Sequence, residues 1–144
     1  MRDAREEDAA WFAPRLRPCD AAEVLALYED IAAGLRTAIA GSAIAKVAEL
    51  NGRPVILLGC ASSEPGVGCP WLLATGEVVK LPGALTKVGR HYVRDFKARW
   101  PKLMNYVDER SLVSVRWLKR LGFNIHAPIR LGLKGERFHP FTMG

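Results

Sequence analysis

MNYVDERSLVSVRWLKRLGF, Met104 to Phe123, is the stretch whose reading decides the fold class. With the preceding leucine, Leu103 to Val107 reads as a short strand. Asp108-Glu109-Arg110 is a polar loop, and Ser111 is a candidate helix cap. Leu112, Val115, Leu118 and Leu121 recur at helical spacing and predict one stripe of a helix. Gly122 is a candidate C-terminal cap, and Phe123 to Ile125 begins another strand.

Upstream, Pro82 stands at a plausible helix start. That helix would run through Leu85, Val88, Tyr92, Val93 and Phe96 to about Arg99, with Lys87, Arg90, Arg94 and Lys97 between. Trp100-Pro101 closes it. Ala43 to Leu50, Pro54 to Cys60 and Cys69 to Ala74 read as strands, the first two joined by the hairpin signal Asn51-Gly52. The run PVILLGC is nearly all apolar, which suits a central strand covered on both faces. Ser62 to Gly68 reads as a loop and Thr75-Gly76 as a turn.

Nearer the N-terminus, Asp3 is expected to cap a first helix with Glu6 and Glu7 in its early turns. Pro14 and Pro18 would interrupt or end it. Asp20, with Glu23 three later, predicts a capping box for the next helix. Val24, Leu27, Tyr28 and Ile31 would share its apolar face, and Gly34 or Gly41 would end or divide the segment after it. Downstream, Ile129 to Leu133 is a strand set off by Pro128, and Phe138 to Phe141 a last edge. No internal repeat appears. These elements predict a mixed α/β domain.

The length of 144 residues suggests one domain over 1–144. The formal charge of +6 permits an anionic partner without naming one. Nucleic acid, an acidic protein surface and a phosphorylated cofactor all suit it, but no nucleic-acid-binding signature accompanies the charge. The 3 cysteines are an odd count, and no leader pattern opens the chain, so a reducing compartment is expected. Cys19, Cys60, Cys69, His91, His126 and His139 form no ligand cluster, and no metal site is predicted. No apolar run reaches the roughly 20 residues of a membrane span.

Asn105 at a strand end, Ser111 opening a helix, and LKRLGF from Leu118 to Phe123 resemble the GNAT superfamily of acyltransferases. The resemblance implies an α/β GNAT-like acyl-CoA N-acyltransferase fold, a mixed central sheet flanked by helices. Over about Pro54 to Phe123 the chain is also similar to the small acetyltransferase-like internal virion proteins of short-tailed podophages. The runs CPWLLATGEVVKLPG and PKLMNYVDERSLVSVRWLKRLGF carry that similarity. It implies a place in the virion after synthesis in the host cytoplasm. The implied partners are other phage virion proteins, such as internal core, portal or tail proteins; non-specific DNA contact is suggested by the charge alone.

The superfamily binds a pyrophosphate on backbone N–H groups of an Arg- or Gln-led, Gly-rich loop at a helix N-terminus. The matching region here is Val78 to Lys87, VVKLPGALTK. Lys80, Gly83, Lys87, Asn105 and Ser111 are therefore the candidate cofactor-binding residues. The region has one glycine, and Pro82 lacks an N–H. Where relatives often place a Tyr general acid stands Leu118, which has no proton to give. Tyr92 and Tyr106 read as packed aromatics. Glu77, His91, Asp108 and Glu109 are the available bases, and Cys69 reads as a buried thiol. No catalytic residue is assigned.

The expectation is a non-catalytic virion component, without a cofactor, acting through surfaces. Arg94, Lys97, Arg99, Lys102, Arg116, Lys119, Arg120 and Arg130 are candidates for contact with acidic protein or packaged DNA, with Trp100 and Trp117 as anchors if exposed. The alternative is an acetyl-CoA-dependent N-acetyltransferase acting on an unknown amine.

Overall fold

The structure is a computed structural model and describes residues 1–144. Its helices are α1 (Asp8–Phe12), α2 (Pro18–Leu27), α3 (Ile31–Gly41), α4 (Ala84–Arg99) and α5 (Leu112–Leu121). Its strands are β1 (Arg2–Asp3), β2 (Ile44–Leu50), β3 (Arg53–Glu64), β4 (Val67–Ala74), β5 (Lys102–Asp108), β6 (Asn124–Ile125), β7 (Ile129–Arg130) and β8 (Arg137–Met143). They hydrogen-bond in the order β1-β2-β3-β4-β5-β8-β6, with β7 also on β8. The β4–β5 pair is parallel, while β5–β8 and β2–β3 are antiparallel, so the sheet is mixed. The chain forms two compact units, Met1–Ala61 with Trp71–Pro82, and Ser62–Pro70 with Gly83–Gly144.

The first unit is built on the β2–β3 hairpin. Asn51 and Gly52 both take positive φ, 52° and 78°, as this tight turn requires. Val55 to Cys60 are buried, as the apolar run predicts. Ala9, Phe12, Val24, Leu35, Val47, Leu57 and Leu73 form one apolar cluster. Trp71 packs against that cluster and donates its indole N–H to Ser42 Oγ at 2.8 Å.

Two N-terminal expectations are corrected. Asp3 caps nothing: Arg2–Asp3 is strand paired with Val47 and Lys46, and the Asp3 carboxylate takes the Lys46 ammonium. No side chain caps the first helix; Asp8, its first residue, accepts instead from the Arg5 N–H at 2.7 Å and from both terminal nitrogens of Arg2. Asp20 is no cap either. Pro18 opens α2, and Asp20 lies inside its first turn, buried, accepting from the Arg17 side chain and from the Ala74 N–H. The predicted capping box was a long-range tie to the end of β4. Tyr28 and Ile31 leave the predicted face because α2 stops at Leu27, and Asp30 caps a new helix by accepting from Ala33 N–H. Gly34 is buried within α3, and Gly41 ends it.

In the second unit β8 is no edge. It pairs with β5 from Leu103–Met143 to Asp108–Phe138 on one side, and with β6 and β7 on the other. Pro140 is tolerated there because β6 and β7 are separated at Pro128, so its missing donor meets no continuous partner strand. The expected loop 62–68 also shrinks to a turn, since β3 runs to Glu64 and β4 starts at Val67. Tyr92, Phe96 and Trp100 stack along α4, with centroids 5.8 and 6.2 Å apart. Gly122 caps α5 in the left-handed region, φ 104°, and Phe123 then meets Phe141 edge-on at 5.0 Å. Leu118 is buried, as the stripe predicts, but Leu112 at its head is 60% exposed.

Helices α4 and α5 touch at Gly89. A Cβ there would stand 2.8 Å from Trp117 and 3.1 Å from Leu121. Gly89→Ala removes a helix-interior glycine, a gain of about 1 kcal/mol, but overpacks a rigid ring, a loss of about 1–3 kcal/mol. Net destabilisation is expected in chemical denaturation; a stabilised variant would show that the contact yields.

A second expectation concerns acid. Burial alone would raise the Asp8 pKa, but hydrogen bonds from Arg2 and the Arg5 N–H outweigh it and hold the carboxyl below its ordinary value. Its stabilising contribution is therefore present above the unfolded value of about 3.9 and lost as pH falls through the folded one. Asp8→Asn should be less stable at neutral pH and lose less melting temperature than the parent chain between about pH 4 and 2. Equal losses would show that the Asp8–Arg2 pair carries no such linkage.

Candidate functional site

The parallel pairing of β4 with β5 consists of Val67–Lys102 and Gly68–Leu103. Beyond those pairs the Asn105 side chain takes over. Its Nδ2 donates to the Pro70 carbonyl at 2.7 Å, and its Oδ1 accepts from the Tyr106 N–H at 2.8 Å. One side-chain amide thus satisfies a backbone acceptor on β4 and a backbone donor on β5 where the ladder has stopped. A parallel ladder that stops needs such a device, because each strand otherwise presents unpaired main-chain groups.

Gly83 and Lys87 sit together at the start of α4. Gly83 is its N-cap, φ 78°, and the Lys87 N–H donates to its carbonyl at 3.0 Å. No side chain caps this end and no acid stands in the first turn. A Cβ at Gly83 would meet nothing within 4 Å, so no side chain packs over this residue. The first-turn N–H groups lack intrahelical acceptors and carry the positive end of the helix dipole. Lys87 is exposed beside them. These features fit the phosphate groups of an acyl-CoA, despite the donor lost at Pro82.

Lys80 lies in the first unit, exposed, at the end of a short 3-10 turn Gly76–Lys80. Ser111 is the N-cap residue of α5, but its hydroxyl bonds the Ser114 hydroxyl at 2.9 Å and caps no backbone N–H. Proximity within one turn of helix therefore joins Gly83 and Lys87, while Lys80 and Ser111 stand on other elements.

The acid–base candidates are mostly committed elsewhere. Glu77 pairs with Arg53 at 3.1 Å, His91 with Asp95 at 3.4 Å, and Glu109 with Arg137 at 3.7 Å. Asp108 is buried and held by Arg110. Burial pushes its pKa up, but the Arg110 side chain and N–H outweigh that and keep it below its ordinary value. Burial pushes the Cys69 thiol up, which disfavours a thiolate nucleophile. Tyr92 is buried against Phe96, while Tyr106 is half-buried on β5. Trp100 is buried and the Trp117 indole N–H is wholly covered, so the condition for either to act as an anchor, exposure, is not met.

What sequence reading missed is Pro70, whose contribution is a main-chain carbonyl and so leaves no mark on residue type. Thr75 was read only as a turn residue; its buried hydroxyl has no partner in the first unit. No helix is long and apolar enough to cross a membrane.

No protein-family profile and no curated protein matches the sequence. Solved structures do match the fold. An N-acetyltransferase from Staphylococcus aureus Mu50 superposes with TM-score 0.70 at 14% identity, covering 99% of this chain and 95% of that one. A putative acetyltransferase from Salmonella typhimurium, solved with its cofactor acetyl-CoA, gives 0.68 at 15% identity, covering 99% and 91%. An aminoglycoside acetyltransferase in complex with coenzyme A gives 0.69 at 17% identity, covering 99% and 92%.

These structures overturn the expectation of a non-catalytic chain without a cofactor. The same fold holds acetyl-CoA in the Salmonella protein and coenzyme A in the aminoglycoside enzyme. A missing loop glycine and a missing tyrosine were too narrow a ground for denying either, because backbone N–H groups and strand separation belong to the fold and not to those side chains. The mixed sheet, the strands that part beyond Gly68–Leu103 and these neighbours together give the chain a GNAT-like acyl-CoA N-acyltransferase fold.

Proposed function

We propose that the protein is an acetyl-CoA-dependent N-acetyltransferase acting on an amine. The observation that carries the reading is the place where β4 and β5 part, held by Asn105 between the Pro70 carbonyl and the Tyr106 N–H. The uncapped start of α4 at Gly83 supports it.

Acetyl-CoA would supply an acyl group activated as a thioester. The chain's contribution begins with binding: the first-turn N–H groups of α4 and Lys87 attract phosphate oxygens. Asn105 keeps the strand ends apart and in register, so the reacting groups meet in a fixed geometry. The raised pKa of Cys69 favours direct transfer over an acyl-cysteine route. In that transfer the amine nitrogen bonds to the acyl carbon, the carbon–sulfur bond breaks, and the proton shed by nitrogen ends on the thiol. Leu118 gives no proton to the sulfur, so this chain relies on solvent or substrate for that step. A modest rate follows, since a placed general acid typically contributes 10²–10⁴-fold.

For location and partners, we propose a phage particle and its internal core, portal or tail proteins, on the similarity carried by Pro54 to Phe123. Mass spectrometry of purified particles tests this separately: peptides of this chain at constant stoichiometry are expected, and their absence refutes it.

Calorimetric titration of the folded protein with acetyl-CoA should give a one-site isotherm. Lys87→Glu should weaken it about tenfold, or 1.4 kcal/mol, with an unchanged melting curve. Incubation with primary amines should then yield a product heavier by one acetyl group. An absent isotherm from folded protein rejects the reading; an isotherm unmoved in Lys87→Glu takes the phosphates away from α4.

A further inference from the structure

Charge is divided unevenly along the chain. The first unit holds 8 Lys and Arg against 10 Asp and Glu, and the second holds 13 against 5, a net of +8. In α4 the cations Lys87, Arg90, Arg94 and Lys97 follow steps of three, four and three. At about 100° per residue they fall in a stripe roughly 80° wide. The opposite side of the helix buries Gly89, Tyr92 and Phe96. The helix's one acid, Asp95, lies off the stripe and pairs with His91. No carboxylate stands within ion-pair distance of Lys87, Arg90 or Arg94, and the Lys97 ammonium donates to the Pro101 carbonyl. Helix α5, packed on Gly89 through Trp117 and Leu121, adds exposed Arg116, Lys119 and Arg120 and has no acid at all.

Like charges three and four apart destabilise a helix, so the stripe is unfavourable in the free protein and relieved by a polyanion. The partner's chemistry follows from what the face lacks. α4 exposes no large apolar side chain and its aromatics are buried, while the exposed apolar residues beside the cations of α5 are Leu112 and Val113, residue types under-represented among interface anchors. Beyond Lys87, which belongs to the acetyl-CoA site proposed above, Arg90 to Lys97 spans about 10 Å along the axis, the length of about three phosphates on one strand.

We propose that α4, with the cations of α5, binds the phosphate backbone of nucleic acid without reading its bases. This stands apart from acetyl-CoA binding and invokes the stripe beyond the first turn.

The test is fluorescence anisotropy with a labelled duplex of mixed sequence, about 20 base pairs long, at about 50 and 200 mM salt. Micromolar binding at low salt is expected, weakening about 40-fold at the higher salt if three phosphates are contacted, and further with each contact that α5 adds. Arg94→Glu with Lys97→Glu should weaken low-salt binding at least tenfold while the acetyl-CoA isotherm is unchanged. Should that pair unfold the protein, Arg94→Gln with Lys97→Gln should instead lower the salt dependence by about two phosphates. Absent or salt-insensitive binding overturns the proposal, as does affinity unmoved by the substitutions. Displacement of the duplex by polyglutamate at equal charge also overturns it, in favour of an acidic protein.

Discussion

The hydrogen bonds of Asn105 are the constraint on which the second unit's architecture turns. A parallel ladder that stops leaves a carbonyl on one strand and an N–H on the other with nothing to bond. Asn105 meets both, at 2.7 and 2.8 Å, from a single planar amide. Few side chains carry a donor and an acceptor on one rigid group. Aspartate would lack the donor, and leucine would leave both main-chain groups bare. Separation of the strands is thus a bonded state of the chain and not a gap where bonding failed.

The same economy appears in the first unit, where Asp20 joins α2 to the end of β4. Its carboxylate receives the Arg17 guanidinium and the Ala74 N–H, while the Arg17 N–H donates to the Ala74 carbonyl. A buried charge is costly unless paired and hydrogen-bonded, and Asp20 is both. In each unit one polar side chain near β4 does what a neighbouring strand would otherwise do.

Much of the fold was legible in the sequence because its signals are local. Asn51-Gly52, the apolar run of β3, the 3.6-residue pattern of α4 and Gly122 each declare an element within a few residues. What stayed hidden depends on partners far along the chain. Asp20 has the spacing of a capping box, and only the fold reveals that its second bond reaches Ala74. Asp3 looks like a cap because β1 is too short to show a period. Phe138 to Phe141 looks like an edge because proline usually marks one, whereas Pro140 lies opposite a break between two short strands. At the candidate site, Gly83 and Asn105 were legible as residues, but the uncapped helix end at one and the double bond of the other were not. The cofactor argument from side chains alone erred for a related reason: much of such a site is backbone, which composition does not display.

The placement of β8 has a consequence for how the chain reaches its native state. β8 follows β5, β6 and β7 in sequence, yet lies between β5 and the other two. Until it inserts, β5 keeps one edge unpaired along its length and β6 has no partner in the sheet. The local hairpin of β2 and β3 can close early, but β5 and β8 must find each other across about 30 residues that include a whole helix, and such non-local pairing is slow. During that interval an apolar strand edge stands exposed, the kind of surface through which partly folded chains associate. Refolding yield should therefore be governed by protein concentration through this one insertion, even where the final structure is stable.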